Sequence, residues 1–515
     1  MTDTYKVLGQ VKTTADENAA AYIVPLSTQA SLSSISIVNS GATSSYTLSA
    51  VKSSEYQSLL SPITEWTQVG TTFTGVNSYD RLGLDVAISN NGNRVAIMNQ
   101  GLSGAQPGSV AIYEWSGTQW VKLGGTIYEI LSGGYQDGCI AISSDGSLVA
   151  VGGPFEGYGS YNSGTVRVYE FNGTSWQERG YVQGDNDEDR FGISVGLSGD
   201  GGRLAVGATL HDYSTFTNSG KVSVYEYDTQ TLSYQTMVNI YGASNSDQLG
   251  SSVAISRNGS TVAYVNPLSD LSWISPGLTN YGYVEVVRYE NSSWQSIGDR
   301  ILGVGAGSMV DAVVSLSETG NRLCIGRPND TVSTDGKVSI YDFNGTSWVP
   351  VGNEITDFDT NVSGEKTGIN VSLSNDGNTV AISARYATGN YSIVKVYELV
   401  GNTWTQKDST ITGNEAYDDA YVVALSGDGS SFILGASGAD AVATSAGYAK
   451  VYENIQIGES ISSPPLKSNL ITTKAIESGA HHEIAGGVQL SQGDALVVNS
   501  PSSNLIVNVF GVEIS

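Results

Sequence analysis

The chain has 515 residues, of which 14% are charged and 62 are glycine, and its formal net charge is −26 at pH 7. Few charges and abundant glycine are typical of turn-rich all-β proteins. The 50 acidic against 24 basic residues exclude a nucleic-acid-binding surface, because such surfaces bind phosphates through clustered Lys and Arg. No apolar run is long enough to span a membrane and no signal peptide begins the chain, so we expect it to fold in a reducing cytoplasm.

The first 60 residues do not follow any repeat. Their alternating apolar residues predict four strands, near residues 5–10, 21–25, 30–39 and 46–51, with turn signals at Pro25 and Asn39-Ser40-Gly41. Four strands in so short a segment bury little apolar surface without a partner.

A hairpin pattern then recurs seven times, best seen as FGISVGLSGDGGRLAVGA over residues 191–208. Alternating apolar residues on both sides of a Gly-Asp-Gly-Gly turn predict a β-hairpin with one buried face. The serine before each turn lies 52 to 61 residues from the next one, at Ser89, Ser143, Ser198, Ser256, Ser317, Ser374 and Ser426. This period is near that of four-stranded propeller blades.

Two more strands complete each predicted blade. A G-x-V-x-V-Y-E motif supplies the third strand, as at Val222 to Glu226, and an aromatic residue opens the fourth, at Trp120, Trp176, Tyr234, Trp294, Trp348 and Trp404. An extra tryptophan strand at residues 65–70 precedes the first hairpin, and the last unit lacks one. Pairing of residues 65–70 with 450–454 would therefore close a seven-bladed ring and remove its free edges. A linear array of β units is the alternative.

The C-terminal segment follows a linker at Ser462-Ser463-Pro464-Pro465 and carries further predicted strands. Neither end can bury a core alone, whereas the two together have the size of one β-sandwich. We therefore predict an all-β chain with a seven-bladed β-propeller, residues 62–456, inserted into a loop of a small antiparallel β-sandwich formed by residues 1–61 and 457–515. Two unrelated small domains flanking the propeller are the alternative.

Residues with catalytic potential mostly follow the repeat. Asp80, Asp189 and Asp247 share one blade position, which indicates hydrogen-bonding caps, and Glu114, Glu170, Glu226 and Glu398 recur at the end of the third strand. A catalytic carboxylate pair, as in glycoside hydrolysis, should break the repeat instead. We therefore expect no catalytic residue and no enzymatic activity.

The cysteines and histidines also give no clear site. Cys139 and Cys324 fall in different repeats and are predicted to be small buried residues. His481 and His482 are adjacent in a strand or its lead-in turn, so their side chains point apart and disfavour a shared metal. His211 lies in a blade loop beside Asp212, without a Gly-x-Ser-x-Gly nucleophile motif. No metal or cofactor is expected.

The loops between the second and third strands vary most and collect aromatic residues. Exposed rings there could stack on sugar rings, and the alternative is that they pack between blades. The candidate ligand-contact residues are Tyr158, Tyr161, Tyr213, Trp273, Tyr281, Tyr386 and Tyr391.

The repeat unit resembles the FG-GAP blades of integrin-type propellers over residues 63–455, in Asp189-Arg190-Phe191-Gly192 and the strands after it. The resemblance implies the fold but no particular function. The calcium loops of that family carry an Asp-x-Asp-x-Asp-Gly string that no blade here supplies. The nearest acidic loop contains Asp185, Asp187, Glu188 and Asp189, and calcium there is an alternative to a solvated loop.

Both ends resemble a small β-sandwich of tailed-phage structural proteins, particularly of cyanophages, in Thr4 to Gln10, Tyr22 to Pro25, Ile37 to Gly41 and Phe510 to Ser515. This resemblance implies a virion component on the particle surface, made in the host cytoplasm. Its partner would be a major capsid or tail protein, with homo-oligomers also expected and no nucleic acid or membrane insertion. We therefore expect a non-enzymatic capsid decoration protein, or alternatively a tail or fibre protein whose propeller recognises a host surface glycan.

Overall fold

A computed structural model describes residues 6–514 with gaps at 13–16, 24–28, 40–43, 52–59, 102–107, 129–136, 158–161, 272–273, 276, 331–334, 357–365, 386–390, 415–421, 441–442, 462–469, 477–480, 491–494 and 501–504. Side chains are described between residues 64 and 455. These parts contain strands and turns, and within them we find no helix that could span a membrane.

The chain divides into two compact units, one formed by Met1–Glu65 with Ile455–Ser515 and the other by Trp66–Asn454. The strands that precede the first hairpin are β1 (Lys6–Lys12), β2 (Glu17–Ile23), β3 (Gln29–Asn39), β4 (Ser44–Val51), β5 (Leu60–Gln68) and β6 (Phe73–Thr74).

Blades 1 to 3 each contain four successive antiparallel strands, and blade 1 has a short fifth one. Their strands are β7 (Val86–Ile88), β8 (Arg94–Asn99), β9 (Ser109–Trp115), β10 (Trp120–Lys122) and β11 (Ile127–Tyr128) in blade 1, β12 (Cys139–Ile142), β13 (Leu148–Gly153), β14 (Thr165–Phe171) and β15 (Trp176–Gln183) in blade 2, and β16 (Phe191–Leu197), β17 (Arg203–Ala208), β18 (Lys221–Asp228) and β19 (Ser233–Tyr241) in blade 3.

Blades 4 to 6 follow the same order, with a short fifth strand in blade 4. Their strands are β20 (Val253–Ile255), β21 (Thr261–Asn266), β22 (Tyr283–Glu290), β23 (Ser293–Ser296) and β24 (Ile301–Leu302) in blade 4, β25 (Val313–Leu316), β26 (Arg322–Arg327), β27 (Lys337–Phe343) and β28 (Trp348–Pro350) in blade 5, and β29 (Asn370–Leu373), β30 (Thr379–Ala384), β31 (Ile393–Val400) and β32 (Thr403–Thr412) in blade 6.

Blade 7 joins strands from both ends of the repeat region. It contains β33 (Val422–Leu425), β34 (Ser431–Ala436) and β35 (Tyr448–Ile461), and β5 and β6 pair with β35. The Val69 N–H donates to the Val451 carbonyl at 2.8 Å. This arrangement supplies the fourth strand that the last repeat lacks. The predicted seven-bladed propeller is confirmed, and the linear array is excluded.

The repeat serine and the turn after it explain why each hairpin forms. In blade 3, Ser198 Oγ accepts a hydrogen bond from the Arg203 N–H at 2.8 Å and donates to Asp200 Oδ1 at 2.6 Å. Gly201 follows with φ of +67°, a conformation that glycine adopts without steric cost. The alternating apolar residues of β17 and β18 are then fully buried between blades.

Most of the tryptophans at the start of the fourth strands tie their blade to the one before it. Their indole N–H groups donate to backbone carbonyls, as from Trp176 to Leu123 at 2.8 Å and from Trp404 to Val351 at 2.9 Å. Tyr234 takes the slot in blade 3 and donates to the Gly201 carbonyl at 2.8 Å. Trp294 of blade 4 is the exception among the described residues, since its buried Nε1 has no hydrogen-bond partner. Packing of the ring is therefore common to every blade, and in most of them the polar atom is also satisfied.

The terminal unit contains β1 to β4 and, from the C-terminal segment, β36 (Leu470–Ile476), β37 (His481–Leu490), β38 (Ala495–Ser500) and β39 (Leu505–Ile514). One sheet has the order β1-β39-β3-β37, and β2-β38-β4-β36 are neighbours in another. Every pairing within these two series joins an N-terminal strand to a C-terminal one. Three parts of the sequence-based prediction stay predictions. These are the face-to-face packing of the two series as a sandwich, the insertion of the propeller into that sandwich, and the boundaries 1–61, 62–456 and 457–515.

Candidate functional site

The inner strands of the seven blades surround an axial cavity of about 410 Å³. This volume is within the range of small-molecule sites. Among the described residues that line it, the only charged side chains are those of Asp85 and Arg257. The cavity therefore has one acid and one base within a wall of mainly small and apolar residues.

A ring of seven backbone hydrogen bonds encircles the axis at the end of the cavity where the hairpin turns lie. In each blade the residue after the repeat serine contributes its N–H, its carbonyl or both, and the bonds measure 2.7 to 3.1 Å. The step at blade 4 uses the Arg257 carbonyl as acceptor and the Asn258 N–H as donor. The residues in the ring position are Asn90, Ser144, Gly199, Arg257, Glu318, Asn375 and Gly427.

Side chains of the ring residues add bonds between blades that are not adjacent. Asn375 Nδ2 donates to Asn90 Oδ1, across Gly427 of the intervening blade. A Cβ at Gly427 would lie 1.7 Å from Asn90 Oδ1, so only glycine leaves room for this amide bridge. Arg257 Nη1 reaches across two blades and donates to the Ile142 carbonyl at 3.2 Å.

Asp85 lies at the opposite end of the inner strands, just before β7. Its Oδ2 accepts the Ile140 N–H at 2.7 Å, and its Oδ1 accepts the Val86 N–H at 2.9 Å. Ser252 and Asn370 occupy the same position in blades 4 and 6 and accept N–H bonds from the next inner strand. Asp85 therefore caps the unpaired edge of β12, a task that neutral side chains perform elsewhere.

The protein around Asp85 makes its charged form costly. Burial raises the pKa of this carboxyl to about 7, although the N–H bonds from Ile140 and Val86 oppose the shift. Asp85 nevertheless keeps part of its surface accessible, and it lines the cavity. Such a group can both take up and release a proton near neutral pH.

Cys139 is the first residue of β12, lies close to Asp85 and also lines the cavity. Burial, and after it the negative charge of Asp85, raises the pKa of the thiol well above its ordinary value. Its Sγ lies 3.4 Å from the Gly192 carbonyl. The prediction of two small buried cysteines holds for Cys324, which is fully buried, whereas Cys139 is only half-buried. Both are free thiols.

Asp85 and Arg257 meet the same free edge of β12. Ile140 and Ile142 are two residues apart, so their outward N–H and C=O groups project from one edge of the strand. At about 3.3 Å per residue, the atoms that anchor the carboxylate and the guanidinium are roughly 7 Å apart along that edge.

The acidic loop of blade 3 is organised by internal hydrogen bonds. Asp189 Oδ2 accepts N–H bonds from Asp185 and Asn186, each at 3.0 Å, and a bond from His211 Nδ1 at 3.0 Å. Burial opposes ionisation, but the His211 and Asn186 bonds hold the pKa of Asp189 below its ordinary value. Asp185, Asp189 and His211 could together offer three metal ligand atoms.

A protein cation already neutralises this acidic loop. The Lys221 ammonium lies 2.5 Å from Asp185 Oδ2 and is almost fully buried. It thus supplies positive charge at the place where a metal ion would bind. Asp212, the sequence neighbour of His211, instead accepts the Asn218 N–H. The loop therefore has a structural explanation without calcium or a catalytic triad.

The caps predicted for the repeated aspartates are confirmed. Asp80 and Asp247 each accept two backbone N–H bonds from the residues three and four positions before them, as Asp189 does. Two of the third-strand glutamates pair with arginines of the second strand, Glu114 with Arg94 at 2.8 Å and Glu226 with Arg203 at 2.9 Å. Neither set forms a pair of carboxylates around a cavity.

The predicted aromatic contact residues lie in different blades. Tyr213 is 43% exposed and stacks on Tyr241 with ring centroids 3.9 Å apart. Tyr281 and Tyr391 are half-buried, and Tyr281 packs against the apolar core of blade 4. Tyr158, Tyr161, Trp273 and Tyr386 lie outside the described residues. A ligand-contact role for these loops stays a prediction.

Sequence reasoning missed Asp85 and Arg257, although a signal for both was present. The blade position of Asp85 holds Cys139, Ser194, Ser252, Val313, Asn370 and Val422 in the other blades. Asp85 is thus the only acid there, and Arg257 is the only base in its ring position. Both residues break the repeat, which is the property expected of functional residues.

Comparison with known proteins gives structural neighbours only. No family model and no curated protein matches the chain. It is similar to a proposed 6-phosphogluconolactonase of Bacteroides uniformis ATCC 8492, with 11% identity, a TM-score of 0.47 and coverage of 75% of this chain and 100% of that one. It is also similar to the periplasmic gluconolactonase of Pseudomonas aeruginosa, with 15% identity, a TM-score of 0.45 and coverage of 75% and 99%. A third similar structure is a proposed 6-phosphogluconolactonase of Bacteroides fragilis NCTC 9343, with 10% identity, a TM-score of 0.43 and coverage of 65% of this chain and 85% of that one.

These neighbours correct the functional predictions made from the sequence. We predicted a virion structural role, with a receptor-binding alternative, and no enzymatic activity. The comparison contradicts these predictions, because all three similar structures carry lactonase names. The neighbours also give no indication of a phage or FG-GAP origin. At identities of 10% to 15% and TM-scores below 0.5 the likeness assigns no particular activity to this chain, and its propeller fold rests on its own strand pairing. The predicted capsid or tail partners and the virion location stay untested predictions.

Proposed function

We propose that the chain is a hydrolase that adds water to the carbonyl of a small ester or lactone held in the axial cavity, with Asp85 as the general base. The observation that carries this proposal is the position of Asp85. Among the described residues it is the only carboxylate on the cavity wall, and it lies at a blade position where serine and asparagine suffice for the structure.

The reaction follows from the groups on the β12 edge. The Asp85 carboxylate removes a proton from a water molecule as the water oxygen bonds to the carbonyl carbon. The ester C–O bond then breaks, and the proton returns from Asp85 to the leaving alkoxide, so the products are an acid and an alcohol. A base with a pKa of about 7 is matched to this task near neutral pH.

A backbone donor for the developing oxyanion is present on the same edge. Ile142 directs its N–H to the free edge of β12, since the groups of alternate residues face the same way. In blades 5 and 6, Ser315 and Ser372 accept the corresponding N–H of the next blade. Ala87 stands at this position in blade 1 and offers no acceptor, so the Ile142 N–H is available to a substrate oxygen.

The test is hydrolysis by the full chain, followed as acid release with a pH indicator. Gluconolactone, 6-phosphogluconolactone and a small aryl ester are the first substrates, the first two because the structural neighbours are named for them. Asp85→Asn should lower kcat by about 100-fold or more, whereas Ser252→Ala, at the same position of blade 4, should stay within about threefold. Equal rates for Asp85→Asn and the unmodified chain, or hydrolysis of none of the three substrates, would overturn the proposal.

A further inference from the structure

Arg257 has few protein partners for a cation in an acidic protein. The one hydrogen bond from its guanidinium among the described residues goes to the Ile142 carbonyl. No carboxylate of these residues forms an ion pair with it within 4 Å, although the chain has 50 acidic residues. Burial lowers its pKa, an effect that the charge of Glu318 opposes.

Other arginines of the blades show what a structural role looks like. Arg94, Arg203 and Arg322 each bond a carboxylate at the end of the third strand and a backbone carbonyl of the following blade. All three lie outside the axial cavity. Arg257, by contrast, lines the cavity and spans two blades to reach its single acceptor.

We propose that Arg257 binds an oxyanion, a carboxylate or a phosphate, of a small molecule in the axial cavity. A guanidinium presents a planar set of N–H donors that matches either group in a bidentate manner. Arg257 lines the cavity and uses one of these donors for the Ile142 carbonyl, and no carboxylate of the described residues forms an ion pair with it. A charge-assisted bond of this kind is stronger in a site that is largely shielded from bulk water than on an open surface.

The position of Arg257 also limits where the ligand can carry negative charge. Its anchor on β12, the Ile142 carbonyl, is roughly 7 Å from the Ile140 N–H that holds Asp85. A ligand that is bound at Arg257 therefore places uncharged atoms beside Asp85, since a second anionic group there would meet the carboxylate. This inference rests on the proposed function to the extent that it makes the substrate an anionic ester or lactone.

The experiment measures binding of unreactive anions to the full chain by isothermal titration calorimetry, so it does not depend on catalysis. Inorganic phosphate and gluconate are the two probes, and glucose is the uncharged control. We expect one or both anions to bind and glucose to bind at least tenfold more weakly. The probe that binds more tightly identifies the oxyanion as phosphate or carboxylate.

Variants then assign the site. Arg257→Gln should weaken anion binding at least tenfold, and Arg257→Lys should retain part of it, because a point charge replaces a planar fork. Arg94→Gln, which loses an arginine of the turn side, should bind as the unmodified chain does. Asp85→Asn should tighten phosphate binding several-fold, since it removes a negative charge from the same edge, although it abolishes the proposed hydrolysis.

The melting temperature of each variant shows whether the variant is folded. If Arg257→Gln does not fold, Arg257→Lys still tests the proposal. Absence of anion binding by the unmodified chain, or equal affinities in folded Arg257→Gln and the unmodified chain, would overturn it. Anion binding without hydrolysis would instead retain this site and reject the proposed function.

Discussion

The free inner edges of blades 2 and 7 are built from the same repeat and are capped in different ways. On β33, the neutral side chains of Asn370 and Ser372 accept the N–H groups of Val423 and Leu425. On β12, the ionisable Asp85 accepts the Ile140 N–H, and Arg257 approaches the Ile142 carbonyl. The comparison teaches that an unpaired strand edge needs only neutral caps, so the charges on the β12 edge have another use.

The largest effect should be a pH dependence of stability that belongs to Asp85. Its folded pKa is about 7 against an ordinary value of 3.8, so between these values the folded chain binds more protons than the unfolded one. The contribution of Asp85 to stability should therefore fall as the pH rises from about 4 to about 7, by up to about 4 kcal/mol, and stay constant outside that window. Urea unfolding of the unmodified chain and of Asp85→Asn measures this.

The two proteins should differ little near pH 4, with Asp85→Asn becoming the more stable one near pH 8. A constant difference between them over this range would show that Asp85 is ionised at little cost. It would then behave as one more edge cap, and the contrast between the two blades would disappear.

Placing a carboxyl on the β33 edge should reproduce the penalty in the other blade. Asn370→Asp retains an acceptor for the Val423 N–H but buries an ionisable group, so it should cost about 2 kcal/mol near pH 8 and little near pH 5. Asn370→Ser, which copies Ser252, should cost less than about 1 kcal/mol at both values. Equal effects of the two substitutions near pH 8, measured by urea unfolding, would contradict this expectation.

A smaller effect should follow from exchanging the second set of caps. Ser372→Ala leaves the Leu425 N–H without its acceptor and should cost about 1 kcal/mol of unfolding free energy. Ala87→Ser, the converse change, adds an acceptor for the Ile142 N–H and should alter stability by about 0.5 kcal/mol or less. It should nevertheless reduce the proposed hydrolysis, because the donor for the oxyanion is then occupied. Unchanged hydrolysis by Ala87→Ser would remove Ile142 from the mechanism.

The acidic loop of blade 3 shows how far single positions can be interpreted from sequence. The recurrence of Asp80, Asp189 and Asp247 predicted caps, and the structure has those caps. The partner of His211 is Asp189 and not the adjacent Asp212, because the loop folds back and brings together residues 22 apart. Lys221, which neutralises Asp185 across 36 residues, had no sequence signal at all.

Periodicity by itself determined the seven-bladed propeller. Strand alternation, the turn after each repeat serine and the aromatic slot are local patterns that recur, and a repeat buries its core against its own copies. Only the tertiary structure decided the cavity. Asp85 and Arg257 are far apart in the chain, and they approach one strand edge because ring closure turns seven inner strands toward a common axis. Their importance comes from that shared edge and from burial inside the ring, which are properties of the assembled ring and not of any single repeat.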